Sequence, residues 1–128
     1  MEYNIFSNTK YIGGDQLKLR IEQQMKKGAL EMLVLKLLEQ EAKYGYQLIS
    51  ELREKSSDVV ILKEGTLYPV LYRLEDEALV ESYWSEPKDR EISRKYYTIT
   101  EEGKNALCEM YHVWCNFQEQ VNKIMEGA

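Results

Sequence analysis

The stretch EGTLYPVLYRLE, residues 64–75, decides the fold, because its apolar positions recur with the period of an α-helix. Leu67, Val70, Leu71 and Leu74 fall on one face and predict a buried stripe. The opposite face is unusual for a soluble helix, because it turns aromatic rings, a proline and an arginine outward. These outward positions are Gly65, Tyr68, Pro69, Tyr72, Arg73 and Asp76.

The start of this helix is predicted from its polar residues. We expect Thr66 to be the N-cap, which makes Pro69 the third helical residue. At that position the missing N–H of proline costs no intrahelical hydrogen bond.

Two further helices are predicted before this stretch. Leu30, Leu33, Val34, Leu37 and Leu38 share one helical face. A break follows at residues 43–46, and then a helix that buries Leu48, Ile49 and Leu52 and ends near Ser56. The run Val59–Leu62 is rich in β-branched residues and predicts a short strand.

After residue 78 the period changes from helix to strand. Residues 79–85 and 94–99 are rich in Tyr, Trp, Ile and Val, which predicts a hairpin with a charged tip between them. Thr100 resembles the N-cap of a last helix. Three helices, a hairpin and a long helix predict a mostly α fold with a small β-wing, that is, a winged helix-turn-helix domain.

The chain divides into three parts on this interpretation. Residues 1–25 are an N-terminal arm, with a leading helix from Gln16 capped by Asp15. Residues 26–99 are the winged helix-turn-helix domain, and residues 100–128 are a C-terminal dimerisation helix.

The last helix carries apolar residues spaced by three and four, as in a heptad seam. Pairing with a second copy would bury this seam; the alternative is that the helix folds back on its own domain. Trp114, with Met110 and Phe117, could line a slot between subunits for a flat aromatic ligand, or Trp114 could simply anchor the interface. The seam residues are Leu107, Met110, Trp114, Phe117, Val121 and Ile124.

Composition bounds the function. The net charge of −5 argues weakly against nucleic acid, but KDREISRK at 88–95 concentrates bases at the hairpin. His112 is the only histidine, and the seven glycines are scattered, so we expect no enzyme, metal site or cofactor. Cys108 and Cys115 lie about 10 Å apart on one helix, too far for a disulfide, which favours a reduced cytoplasmic protein. The N-terminus lacks the apolar core of a signal peptide.

The pattern favours binding of double-stranded DNA, because exposed rings and an arginine can contact sugars, bases and phosphates. A winged-helix module for protein interaction and an ordinary α+β domain are the alternatives. The predicted DNA contacts are Lys26, Lys27, Tyr46, Lys63, Gly65, Thr66, Tyr68, Pro69, Tyr72, Arg73, Lys88, Arg90, Arg94 and Lys95.

The sequence resembles the PadR-like family of winged-helix transcriptional regulators, in particular its small, subfamily-2-like branch. The resemblance rests on KGALEMLVLKLL at 27–38, YGYQLISEL at 44–52, the stretch 64–84 and RKYYTITEEGKNAL at 94–107. It implies a homodimeric repressor that binds an operator. It also implies that Gly65, Thr66, Tyr68 and Arg73 lie at the DNA-reading helix and that a small aromatic compound relieves repression beside Trp114.

Overall fold

A computed structural model describes residues 27–88 and 92–127, together with Gln16, Leu17, Arg20, Ile21 and Met25. Those five residues are helical, as the predicted leading helix requires. The predicted cap Asp15, the segment before it, and the predicted DNA contacts Lys26 and Arg90 lie outside the described residues.

The described chain folds into four principal helices and a small three-stranded antiparallel sheet, which confirms the predicted winged helix-turn-helix class. In chain order the elements are α1 (Leu30–Gln40), β1 (Lys43–Tyr44), α2 (Gly45–Lys55), α3 (Glu64–Asp76), β2 (Val80–Trp84), β3 (Lys95–Ile99) and α4 (Glu101–Met125).

The core lies between the helices and one face of the sheet. All four residues of the predicted α3 stripe are buried, as are Leu48 and Leu52 of α2. In α1 the buried set includes Leu35, whereas Leu33 of the predicted face is only partly buried. The remaining core residues are Leu30, Val34, Leu37, Leu38, Leu62, Val80, Tyr97 and Leu107.

The sheet has the order β1-β3-β2. The hairpin pairs Val80 with Ile99 and Trp84 with Lys95, in agreement with the predicted strands. The predicted break at residues 43–46 contains a two-residue strand, β1, which pairs with β3. The predicted strand at Val59–Leu62 is wrong: this segment is a loop that buries Leu62, and Val60 N–H donates to Ser56 Oγ at 2.8 Å.

The predicted start of α3 is also wrong. The helix begins at Glu64 with Lys63 as N-cap, and Thr66 N–H donates to Lys63 O at 3.0 Å. Pro69 is therefore the sixth helical residue, where its ring removes the hydrogen bond to the carbonyl of Gly65. The helix continues through Pro69, because its stripe is buried on both sides of that turn.

The predicted cap of the last helix is confirmed. Thr100 Oγ1 accepts from Gly103 N–H at 3.0 Å and donates to Ala78 O at 2.7 Å. Gly103 is required here by space: a β-carbon would sit 2.1 Å from the carbonyl oxygen of Leu79. These contacts fix the first turn of α4 against the segment just before β2, while residues 111–127 are exposed.

Candidate nucleic-acid interface

The reading face of α3 is open to solvent, as the sequence predicts. Tyr72 is 52% exposed, and its ring lies 6.0 Å from that of Tyr68. Tyr68 is half-buried, because its hydroxyl extends across to Gly45 at the start of α2. The neighbouring α2 contributes Tyr46, which is 66% exposed. The exposed predicted contacts on or before this face are Lys63, Gly65, Thr66 and Pro69.

Arg73 lies on the side of α3 that faces α1. Its Nε donates to Glu31 Oε1 of α1, and its side chain is half-exposed. The carboxylate fixes one edge of the guanidinium, and a planar guanidinium has further donors for a second acceptor.

The outer face of the wing carries three packed tyrosines and an arginine. The ring of Tyr96 lies 5.4 Å from that of Tyr44 and 5.6 Å from that of Tyr83. The Arg94 guanidinium lies 4.5 Å above the Tyr44 ring, and its Nη1 donates to Tyr44 Oη at 2.9 Å. Stacking and hydrogen bonding thus hold Arg94 at the edge of the sheet.

The inner face of the wing is tied to the end of α3. Ser82 Oγ donates to Glu75, and Lys95 Nζ lies 4.0 Å from Glu75 Oε1. The same ammonium lies 5.7 Å from the ring centre of Tyr72 and 5.5 Å from that of Tyr97. Lys95 therefore lies between the reading helix and the wing.

Tyr97 is fully buried between these groups. Burial raises the pKa of its hydroxyl to about 12, with smaller contributions from Tyr72, Glu75 and Tyr68. Within the described part of the chain this hydroxyl has no hydrogen-bond partner.

Lys43 of β1 is a buried cation that pairs with Glu51 of α2. It is 2% exposed, and its ammonium lies 3.0 Å from Glu51 and 3.2 Å from Glu41. Burial opposes the charge, but hydrogen bonds to Glu51 and Glu41 outweigh that effect and raise the pKa of Lys43. The pairs fix β1, which carries Tyr44 into the sheet.

A cleft of about 530 Å³ separates α3 from the wing. It brings together five of the predicted contacts: Tyr46, Tyr68, Tyr72, Arg94 and Lys95. It also contains five side chains that sequence reasoning missed: Tyr44, Glu64, Trp84, Ser93 and Tyr97.

Two predicted contacts lie away from both the cleft and α3. Lys88 lines a separate hollow on the outer face of the hairpin, with Tyr83 and Tyr96. Lys27 is exposed just before α1.

The seam of α4 is divided between two environments. Leu107 is 6% exposed and belongs to the core, and Met110 packs against it. Trp114, Phe117 and the seam residues beyond them are exposed. A cavity of about 400 Å³ lies where α4 passes the start of α1; its lining residues are Gly28, Met32, Ala106, Glu109, Met110, Val113, Trp114 and Phe117. The predicted ligand residues therefore share one cavity, whose lining is mainly apolar.

Within the described residues, no helix has the length and hydropathy needed to span a bilayer.

The helix-turn-helix, the wing and the exposed α3 face define a winged-helix transcriptional regulator of the DNA-binding class. The sequence model of the transcriptional regulator PadR-like family matches residues 34–109, more than half of the chain, and the chain belongs to this family.

Known structures and one relative support this assignment. A PadR family transcriptional regulator from Eggerthella lenta is similar with a TM-score of 0.77 and 32% identity, covering 89% of this chain and 96% of that one. A PadR family transcription regulator from Clostridium difficile has a TM-score of 0.68 and 34% identity, covering 76% and 98%. An uncharacterised protein from Lysinibacillus sphaericus is 35% identical over 101 residues, 79% of this chain and 92% of that protein.

Proposed function

We propose that the protein is a homodimeric repressor, acting in the cytoplasm, that places α3 of each subunit in the major groove of one half of a near-palindromic operator. The observation that carries this proposal is the exposed face of α3, with Tyr72 open to solvent beside Lys95 of the wing. An exposed aromatic and cationic face on a short helix suits base edges, sugars and phosphates.

The contacts divide by chemistry. The N-terminus of α3 with Thr66 would fix register on phosphate, since free N–H groups and the helix dipole favour anions there. Tyr68, Pro69, Tyr72 and Arg73 would meet bases and sugars. The proposed phosphate contacts elsewhere are Lys26, Lys27, Tyr46, Lys63, Lys88, Arg90, Arg94 and Lys95.

Dimerisation through α4 would bring two reading helices onto one side of the duplex. The apolar residues Trp114, Phe117, Val121 and Ile124 share a face that the described residues leave uncovered, and Phe117 is 62% exposed. Exposed apolar surface of this kind marks an interaction site. The division into an arm (1–25), a winged domain (26–99) and a dimerisation helix (100–128) follows from this assignment.

The test of DNA binding is a gel shift with the duplex that lies upstream of the protein's own gene, against a scrambled duplex of equal length. A repressor dimer retards the first more strongly than the second at moderate salt. The rival function, a protein-interaction module, predicts a dimer that retards neither duplex.

A small aromatic ligand is the second proposed partner. The cavity at Trp114 supports it, because about 400 Å³ lies within the usual range of ligand pockets. Glu109 lines the same cavity and would favour a cationic ligand over an anionic one.

The ligand is tested by quenching of tryptophan emission in the Trp84→Phe background, which leaves Trp114 as the reporter. We expect a flat aromatic cation to quench it and to release DNA. A phenolic acid should act more weakly, and Glu109→Gln should reduce the difference between the two compounds. Equal, weak quenching by both would remove this cavity as the ligand site.

A further inference from the structure

The wing carries an exposed indole on the side that faces the helices. Alternation along β2 places Trp84 on the same face as Val80 and Ser82, opposite Lys95 of β3. Val80 on this face is buried, whereas Trp84 is 66% exposed. Tryptophan is usually well buried. An indole left open on the core-facing side of a strand therefore has apolar surface that the described residues do not cover.

The opposite wall of the cleft is also aromatic. Tyr72 of α3, half-exposed, lines the same cleft as Trp84, and the buried ring of Tyr97 is a further lining residue. The cleft is thus bordered by rings from both the reading helix and the wing. Its volume of about 530 Å³ is within the range of spaces that hold small organic groups.

The charged groups of the cleft favour an anion. Arg94 and Lys95 line it, against one lining carboxylate, Glu64, among the described residues. Lys95 lies 4.0 Å from Glu75, beyond the length of a strong charged hydrogen bond, so its ammonium is only loosely held. Flat apolar rings next to cations complement a nucleic-acid backbone, in which sugar and phosphate alternate.

The position of the cleft indicates which molecule would bind in it. It lies between α3, which the proposed function puts in the major groove, and the wing, which that function puts on flanking phosphates. The DNA strand that runs from the major groove to the flanking phosphates therefore has to pass between α3 and the wing.

We infer that this cleft holds one sugar–phosphate segment of the operator backbone and that the indole of Trp84 packs against its sugar. Trp84 is then a determinant of DNA affinity, while Arg94 and Lys95 hold the phosphates on either side. This inference rests on the proposed function and adds a contact residue to it.

The experiment compares Trp84→Ala, Trp84→Phe and the parent by DNA affinity at several salt concentrations. The comparison variant is Tyr83→Ala, which removes an exposed ring from the other face of the same strand. The Tyr83 ring stacks on Tyr96 in the cluster that holds Arg94, so any loss of affinity in this variant should lower the salt slope, unlike the loss in Trp84→Ala. Thermal melting checks that each variant folds. We expect Trp84→Ala to weaken binding about tenfold for both the upstream and the scrambled duplex, because a sugar contact carries no sequence information. The slope against salt stays at the parent value, since no cation is lost.

The Trp84→Phe variant and the fluorescence emission of Trp84 test the contact independently. Trp84→Phe should retain affinity to within about threefold, because a ring remains. In the Trp114→Phe background the emission of Trp84 should change when duplex is added. Parent affinity in Trp84→Ala, or unchanged Trp84 emission at saturating duplex, overturns the inference and leaves the proposed function standing. A parent protein that binds neither duplex overturns both.

Discussion

The hydroxyl of Tyr68 lies directly over Gly45, so that a β-carbon on Gly45 would sit 2.6 Å from Tyr68 Oη and 3.0 Å from its Cζ. This contact joins the YGY segment at the start of α2 to the reading helix α3. A side chain at residue 45 would therefore force the tyrosine ring that borders the cleft to shift.

The first prediction follows from this contact. Gly45→Ala should push Tyr68 out of its position and weaken DNA binding about three- to tenfold. Overpacking costs about 1–3 kcal/mol, and the clash is with the end of a side chain that can move, so unfolding stability should fall by about 1 kcal/mol. Gel shift measures the first effect and urea unfolding the second.

Two further variants serve as controls for this prediction. A β-carbon at Gly28 would meet no atom within 4 Å. The Gly28→Ala variant should therefore bind DNA as the parent does. Adding Tyr68→Phe to Gly45→Ala removes the closest atom and should recover part of the lost stability. A double variant no more stable than Gly45→Ala would show that the clash does not cause the loss.

The second prediction concerns the buried hydroxyl of Tyr97. Its folded pKa of about 12 lies above the ordinary value of about 10. The unfolded state therefore loses this proton first as the pH rises. The contribution of Tyr97 to stability is complete below about pH 10 and is lost as the pH rises towards 12. By about pH 11 the parent should have lost about 1 kcal/mol through this group.

Tyr97→Phe isolates that effect from the other tyrosines. Because the hydroxyl has no partner among the described residues, its removal should leave stability near neutral pH unchanged or raise it by up to about 1 kcal/mol. Urea unfolding at about pH 8 and about pH 11 should show a smaller alkaline loss in the variant than in the parent. Equal losses would indicate that the hydroxyl ionises normally.

The third prediction concerns the buried ammonium of Lys43. Glu51→Gln removes one of its two carboxylate partners and should destabilise the fold by about 1–3 kcal/mol, since Glu41 still compensates part of the charge. The matched control is Glu39→Gln, which breaks an exposed pair with Lys36 and should have no measurable effect. Urea unfolding of both variants measures the difference. If Glu51→Gln is as stable as Glu39→Gln, the burial of the Lys43 ammonium does not require the charge of Glu51.

The α3 stripe and the hairpin could be predicted because burial on one side leaves a periodic signature in local sequence. The strand β1 could not, because a two-residue strand is defined only by its pairing with Tyr96 and Tyr97 far along the chain. The predicted strand at Val59–Leu62 failed for the converse reason, since β-branched residues need a neighbouring strand to pair with.

The candidate site divides in the same way. Exposure of Tyr72 follows from helical spacing alone, whereas the partner of Arg73 is set by the packing of α1 on α3. Trp84 could have been found from the alternation Val80, Ser82, Trp84, which puts it on the core-facing side of β2. The start of α3 was misjudged because a threonine before an apolar run resembles an N-cap even when the helix begins earlier.

The fourth prediction separates base recognition from phosphate contact. Arg73→Ala should weaken operator binding by about 1–3 kcal/mol and relax specificity, if the free edge of the guanidinium reads a base. Lys95→Ala should weaken the upstream and scrambled duplexes alike and reduce the salt slope by about 1. Gel shifts at several salt concentrations distinguish the two.

Glu31→Gln is the control for Arg73, because it removes the charge that holds the guanidinium while leaving the arginine in place. If Glu31→Gln loses less operator affinity than Arg73→Ala does, Arg73 contacts DNA directly. The same loss in both variants would mean that Arg73 acts only by fixing α3 against α1.

The fifth prediction concerns the exposed seam of α4. Phe117→Glu places a charge in the face proposed to pair with a second copy, and burying an unpaired carboxylate there is strongly unfavourable. The variant should be a monomer by light scattering, and it should lose most of its affinity for the operator, because two linked half-sites gain from effective concentration. The control His112→Glu adds a charge about 140° around the same exposed helix and should remain dimeric and DNA-binding. A Phe117→Glu protein that is still a dimer would place the interface elsewhere, and a monomer with full operator affinity would show that the two reading helices act independently.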